Sequence, residues 1–502
     1  MRRRRTEVAN TAQHRLSFPA IAAAPPASPC RARAFVTGDT AHLYIGAQRA
    51  DEYLRERGYG WIVALRQELA QVDLTLLEVN YLGGGRPPYA PQLMLGLIVY
   101  GLLSHRTTLR QLEQLAALDV GAWWLCGGQQ PDHSTIGDFI TRHAAVLTEE
   151  FFSELVRGLV RRRSIAAGVV AGDGTVIESA ASRFGMLRRE ATAPRDPTPP
   201  AGEDPPPPSG PLTAPSDPAA VVQPRKDGPK RPAYRPSLLV HERGLIVAQH
   251  VEPSSEPAAI PPLLAQHQAV FAARPTRVLL DANYHSIDLL QGCADQGLDV
   301  LCPAGRTDTA TWTKRGVGGR FGKGQFTYDA ERNAYRCPAQ HWLTVRSRSR
   351  HHKGRRYVAY ATPACTGCAL RPQCTTAKTG RTVIRFAGEE IKEAMRWVLE
   401  QPRARRAYRQ RGPIVERPFA ELRERQGLRR FRRRGLLGVR VEFALHCIAF
   451  NLKWALRACN GRLRGLLRHI GRGGRGFAYG AAASRIPVLH RPIPSSRLPL
   501  AA

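Results

Sequence analysis

The sequence predicts a mixed α/β protein with a helical N-terminal region and a cysteine-rich insertion. Three observations lead there. Apolar residues recur at helical spacing across residues 41–165. Between 166 and 302, strand patterns first run consecutively and then alternate with helices, which indicates a mixed sheet. From 303 to 380 the chain turns Gly- and Arg-rich, with four cysteines and short strand-like pieces.

Taken in order, residues 1–40 are Arg-, Ala- and Pro-rich without sustained periodicity and are expected to be disordered. "DEYLRERGYGWIVALRQELAQV" is amphipathic, whereas "APQLMLGLIVYGLLSH" is apolar nearly throughout and should be a buried helix. Leu109, Leu112, Leu115 and Ala116 mark the next helix. "PDHSTIGDFITRH" opens a long one, with Thr135 and Asp138 resembling a capping box. Short helices joined by tight turns beside basic residues fit a DNA-binding domain, and they fit an ordinary helical bundle as well.

"AAGVVAGDGTVIESAAS" has strand character. The stretch 186–233 is Pro-rich, unsuited to a central strand or helix, and reads as a surface loop or linker. "RPSLLVHE" and "GLIVAQHVE" are strands parted by a turn at Arg243–Gly244. A helix, the strand "TRVLLD", the helix "SIDLLQGCADQG" and the strand "LDVLCP" follow. Helices dominate 381–456 and close in the apolar "VRVEFALHCIAFNLKWAL"; the basic tail 457–502 is expected to fray.

Charge narrows the partners. Lys and Arg number 74 against 41 Asp and Glu, a formal net charge of +33. Such a balance calls for a polyanion, with DNA or RNA foremost because neutralising phosphates releases counterions. A membrane partner is not expected. The longest apolar run, Leu93–Leu103, has eleven residues, and a span needs about 20. The chain reads as cytoplasmic, and its ten cysteines are too few and too unevenly placed for a disulfide framework.

Three carboxylates stand in distinctive settings. Asp281 follows Val278–Leu279–Leu280, at the carboxyl end of a strand, where α/β sheets build sites; it also fits a simple turn before the helix capped by Ser286. Asp173 lies in "GDGT", which on local pattern reads as an Asp-Gly hairpin turn. Glu416 sits where fourteen arginines and three acids occupy Arg403–Arg440. Glu421 and Arg425, at i,i+4, should pair. Glu416 and Arg423, seven apart, can face the same way from one helix. Three separated carboxylates would suit phosphodiester cleavage, in which two Mg²⁺ ions about 4 Å apart stabilise the charge that develops. Cys337, Cys365, Cys368 and Cys374 have spacing suited to structural Zn²⁺, with His341 a spare ligand; they also fit buried or unpaired thiols.

These segments together resemble the DDE-type transposases of bacterial insertion sequences, in the subgroup with a cysteine cluster before the final acid. The resemblance runs from about residue 50 to 456 and rests on "GGRPPYAPQLMLGLIVYGLL", "PDHSTIGDFITRH", "GDGTVIESAAS", "LLDANYHS" and "YRQRGPIVERPFAELRERQGLRRFRRRG". It implies an RNase H-like core, residues 166–302 and 381–456, interrupted by a zinc-binding module at 303–380 and preceded by a DNA-binding helical domain at 41–165. It implies that Asp173 lies on the first strand rather than in a hairpin. By the same resemblance Asp173, Asp281 and Glu416 are catalytic and hold two Mg²⁺ ions, for which Mn²⁺ can substitute. Tyr408, Arg411 and Arg423 would contact DNA, and Arg423 stands where the family has Lys. The implied partners are element ends, target DNA and further copies of the chain, at least as a homodimer. The implied reaction is cleavage at the element end followed by joining of the freed 3′-hydroxyl to target DNA. Two other functions remain compatible with these residues: a catalytically inactive DNA-binding derivative, and a nuclease of the same fold that only hydrolyses.

Overall fold

The computed structural model describes residues 34–79, 86–182, 184, 186–188, 212–225, 228–305, 321–352 and 355–470. The chain divides into two compact units, 1–456 and 457–502, and the fold and site below lie in the first.

After a two-stranded pair, β1 (Tyr44–Ile45) with β2 (Gln48–Arg49), eight helices follow: α1 (Ala50–Glu56), α2 (Gly60–Leu69), α3 (Pro91–Leu103), α4 (Leu109–Leu118), α5 (Val120–Leu125), α6 (His133–Arg142), α7 (Ala144–Thr148) and α8 (Glu150–Arg162). α3 is buried on nearly every side, as its uninterrupted apolar run requires. Caps set the boundaries. Thr108 and Gln111 form a full capping box at α4, and Asp119 accepts the Ala122 N–H at α5. The start of α6 differs from expectation. Asp132 is the cap and accepts the Thr135 N–H at 2.7 Å, one turn earlier than a Thr135–Asp138 box would. An Asp carboxylate reaches the orphan amides of the first turn, so it takes the role.

The main sheet is mixed. Its strands are β3 (Val169–Gly174), β4 (Ile177–Glu178), β7 (Val221–Arg225), β8 (Gly228–His241), β9 (Ile246–Glu252), β10 (Arg277–Leu279) and β11 (Val300–Leu301); β5 (Leu187–Arg188) and β6 (Leu212–Thr213) pair separately. The order runs β11-β10-β3-β8-β4, with β7 and β9 also bonded to β8. β3, β10 and β11 are parallel; β8 is antiparallel to β3. The inner residues Val170, Ala171, Leu238–Val240 and Val278–Leu280 are buried in one core that also takes in the N-terminal helices. Helix α9 (Ile260–Phe271) packs on β9, and α10 (Ile287–Asp295) follows β10.

Asp173 is inside β3, paired with Leu238, so the strand holds and the hairpin expectation does not. The loop expected over 186–233 is also corrected in its second half: β7 and the start of β8 form a hairpin there. Prolines survive in it because their carbonyls suffice. Pro232 accepts from Ser179 at 2.9 Å, and Pro236, further along β8 and beyond the hairpin, accepts from Thr175 at 3.0 Å. Residues 189–211 lie outside the described residues.

The cysteine-rich stretch is a five-stranded antiparallel sheet: β12 (Thr327–Asp329), β13 (Ala334–Arg336), β14 (Trp342–His352), β15 (Arg355–Ala361) and β16 (Thr382–Phe386). A short helix, α11 (Arg371–Cys374), lies between its last two strands. It has its own small core of Phe326, Tyr335, Leu343, Tyr360, Cys374 and Val383. The Tyr335 ring stands 5.1 Å from both Tyr328 and Tyr360, and the Arg385 guanidinium lies 3.8 Å from the Tyr328 ring centre. Aromatics thus supply the core of a Gly- and Arg-rich region. The chain continues through α12 (Glu390–Glu400), α13 (Pro402–Tyr408) and α14 (Arg411–Ala420) to the long α15 (Leu436–Ile470).

Three buried histidines make the fold acid-sensitive. Burial lowers His143 and His267 to about 4 and His446 to about 3. An unfolded chain would take up these protons near pH 6.5, whereas the folded one refuses them. Stability is therefore full above pH 6.5 and falls as pH drops from there towards 4. Urea midpoints at about pH 7.5 and 5 should show this loss, and His267→Phe should make the loss smaller. An unchanged midpoint between the two pH values would contradict the account.

Candidate active site

Strand register sets the first two carboxylates level. Ala171 is the parallel partner of Leu279. Asp173 and Asp281 each lie two residues further on, so both return to the face of that pair. The chain stays extended up to Asp281: the Leu280 N–H donates to the Leu301 carbonyl at 3.0 Å, and Asp281 has φ −74° and ψ 164°. Adjacent strands run about 4.8 Å apart, which brings the two acids to neighbouring positions at one end of the sheet. The Asp281 charge adds to the upward shift of Asp173.

Asp281 also does what the plainer reading asked. It caps the short 3₁₀ turn Ala282–Tyr284 by accepting the Ala282 N–H. Its carbonyl accepts from the Cys302 thiol at 3.1 Å. Burial pushes that thiol up to about 12, so it keeps its proton and remains a donor.

The glycines around Asp173 are packing residues, not turn residues. A Cβ on Gly172 would stand 2.7 Å from Leu280 Cδ2, and one on Gly174 would stand 2.9 Å from both Glu256 Cγ and Ser237 Oγ. Only glycine lets β3 run this close to its neighbours.

Arg411, the first residue of α14, closes the site from above. Its Nη2 lies 2.8 Å from Asp173 Oδ1 and donates to the Gly172 carbonyl at 3.2 Å. Burial raises the Asp173 pKa, against the opposing pull of this guanidinium. Tyr408, half-buried at the end of α13, shares the neighbourhood. Burial pushes its hydroxyl up to about 12, with Asp281 and Asp173 adding to the rise.

One acid escaped the sequence reading. Glu256 is buried, is held by Arg235, and accepts from Asn283 Nδ2 at 3.4 Å. Its charge reaches Asp173 as well. In "EPSSEPAA" nothing in period or spacing marks it; the β8–β9 hairpin brings it there.

Glu416 and Arg423 are arranged differently from the first pair. Glu416 is exposed on α14, with its carboxylate folded towards Gly412. After Ala420 the helix widens into a π turn over Glu421–Arg425. That turn changes the rotation per residue, so the seven-residue alignment of Glu416 with Arg423 no longer holds. The expected Glu421–Arg425 pair is present at 3.7 Å, with Lys453 as a second partner of Glu421.

The four cysteines line one small cavity with His341. Burial raises the Cys374 thiol, and Cys365, Cys337 and Cys368 add to the rise. Their donors suit a soft cation, as Asp173 and Asp281 suit a hard one whose charge would relieve their repulsion. Among the described residues, however, no three His, Cys, Asp or Glu side chains stand at metal-sharing distance.

Residues 336–455 match the family described as "Transposase DDE domain", and residues 64–142 match "Transposase domain (DUF772)". The first match contains all four cysteines and Glu416; neither contains Asp173 or Asp281. No curated protein matches the sequence. Among solved structures, the Mos1 transposase paired-end complex with left transposon end is 12% identical, with a TM-score of 0.16 over 45% of this chain and 62% of that one. The Mos1 strand transfer complex is 14% identical, with a TM-score of 0.15 over 46% and 63%. The chain thus spans less than two thirds of either, and overlays this loose carry no argument about individual side chains.

The Asp173–Arg411 pair generates a prediction. Arg411→Met should cost on the order of 1–3 kcal/mol in denaturant unfolding, because it strands a carboxylate that is only 26% exposed. Adding Asp173→Asn should recover most of that loss. Strictly additive effects would show that the two side chains do not interact.

Proposed function

We propose that this chain, related to the DDE-type transposases, is a DNA transposase with an RNase H-like core. It would cut DNA at the ends of its element and join the freed 3′-hydroxyl to target DNA, working in the cytoplasm as a homodimer or larger multimer. The observation that carries the reading is the pair of carboxylates, Asp173 and Asp281, level on adjacent parallel strands. A net charge of +33 supports a polyanionic substrate.

In this reading Asp173, Asp281 and Glu416 would hold two Mg²⁺ ions, or Mn²⁺ in their place. The ions would supply charge stabilisation at the phosphate and activation of the attacking oxygen. Glu416 would have to swing in from its exposed position on α14. Arg411 offers a planar fork that can take two phosphate oxygens beside Asp173, and Arg423 adds a second guanidinium. Tyr408, protonated, can donate a hydrogen bond to the strand. Water would attack the phosphorus, the P–O3′ bond would break, and the departing oxygen would take a proton to become the 3′-hydroxyl. That hydroxyl would then attack a target phosphodiester in the same manner. Cys337, Cys365, Cys368 and Cys374 would bind a structural Zn²⁺, drawing the four thiols of their cavity together.

Cleavage of DNA carrying the element's ends tests the catalytic claim. Outer-shell partners are worth about 10–100-fold, so loss of a ligand itself in Asp281→Asn or Glu416→Gln should lower the Mg²⁺-dependent rate by more than about 100-fold, with melting unchanged. Wild-type rates in either variant would remove that residue from the site. For the cysteines, metal analysis of freshly purified chain should find near-stoichiometric zinc, and Cys365→Ser should abolish it; zinc-free wild type would overturn the assignment.

A further inference from the structure

Away from the carboxylates, a cleft of about 770 Å³ opens between the N-terminal helices and the Arg-rich stretch before α15. Its walls come from segments far apart in sequence. One wall is the turn before α4 and the start of α6; the other is Arg432–Arg433 with the first turns of α15. His105 links the two halves, with Nε2 2.8 Å from the Glu424 carbonyl.

The lining divides by chemistry. Leu102, Leu109, Leu112 and Leu445 form an apolar floor, and Arg106, Arg110, Arg432 and Arg433 bring four guanidiniums to the same cleft. Against them stand two carboxylates, Asp138 and Glu442. Glu442 is committed elsewhere: it accepts the backbone N–H groups of Arg432 at 3.1 and 2.9 Å and of Arg433 at 2.9 Å. That bond set fixes the backbone of the arginine pair, and the same carboxylate offsets part of the charge of both guanidiniums without forming an ion pair with either. Among the described residues, none of the four arginines is in an ion pair. The Arg433 guanidinium meets the Thr141 hydroxyl at 3.4 Å and feels the Glu442 charge. Burial works against its charge and Glu442 offsets that only in part, which leaves a phosphodiester a favourable partner there.

We propose that this cleft seats a phosphodiester of the DNA strand, with its attached sugar on the apolar floor. Its volume suits one nucleotide unit. The helical domain and the Arg-rich segment would then grip DNA jointly, at a point separate from the cleavage site. This proposal rests on the reading of the chain as a DNA-processing protein.

The test uses the full chain and a labelled DNA duplex, with affinity measured across a salt series. Each neutralised phosphate contributes about 0.9 to the slope of log affinity against log salt. Arg110→Gln/Arg433→Gln should weaken binding about tenfold and flatten the slope by about one such unit. Arg110→Lys/Arg433→Lys, which keeps the charge, should restore most of both. Melting curves check that each variant folds, and the single Gln variants replace the double if it does not. Affinity and slope unchanged in folded Gln variants would overturn the proposal. So would saturable binding of a deoxynucleoside monophosphate that depends on these arginines while DNA affinity does not, since the cleft would then serve a free nucleotide. Wild-type cleavage of DNA with Mg²⁺ is scored in parallel: its absence counts against the function, whereas an unaffected slope with cleavage intact counts against the cleft alone.

Discussion

The parallel pairing of β3 with β10 is the constraint on which the site depends. Once Ala171 is opposite Leu279, the period of two along a strand leaves no freedom in where Asp173 and Asp281 fall. A slip of one residue would turn one acid into the core and Val170 or Leu280 out of it. The burial of those residues therefore holds the carboxylates in register. The same closeness explains Gly172 and Gly174, whose missing side chains make room for Leu280, Ser237 and Glu256.

Electrostatics then distinguishes the acids of a strongly basic chain. Many of them are bound up in the fold. Glu421 is buried and pairs with Lys453 and the exposed Arg425, Glu389 pairs with Lys323, and Glu442 caps a turn of two arginines. Asp173 is different, because its partner Arg411 arrives at the tip of a helix and only partly offsets the burial of the carboxylate. Two carboxylates side by side with one guanidinium form a charge arrangement that a divalent cation and a phosphate could both enter. Glu256, tied to Arg235 and Asn283, braces the turn that carries Asp281.

Much of this was legible in the sequence. Apolar periodicity gave the N-terminal helices, and the strand "TRVLLD" gave the position of Asp281. The Asp173 strand was hidden because "GDGT" has the composition of a turn; its glycines answer to packing, which only neighbouring strands reveal. The hairpin at β7–β8 was hidden by prolines that serve as acceptors. The site contribution of Glu256 depends on the fold of a distant hairpin and leaves no local mark. The π turn after α14 likewise broke an alignment that assumed a uniform helix. The family resemblance singled out Tyr408 and Arg411, and the fold places both beside the two carboxylates.

The central claim is that Asp173 and Asp281 jointly hold a divalent ion. Replacing Mg²⁺ with Fe²⁺ and generating hydroxyl radicals cuts a polypeptide beside the bound ion, so mapping the cuts tests the claim without requiring turnover. The account predicts breaks clustered near residues 172–175 and 280–284, suppressed by excess Mg²⁺. Cuts confined to other segments, or no Mg²⁺-sensitive cutting at either stretch, would contradict it.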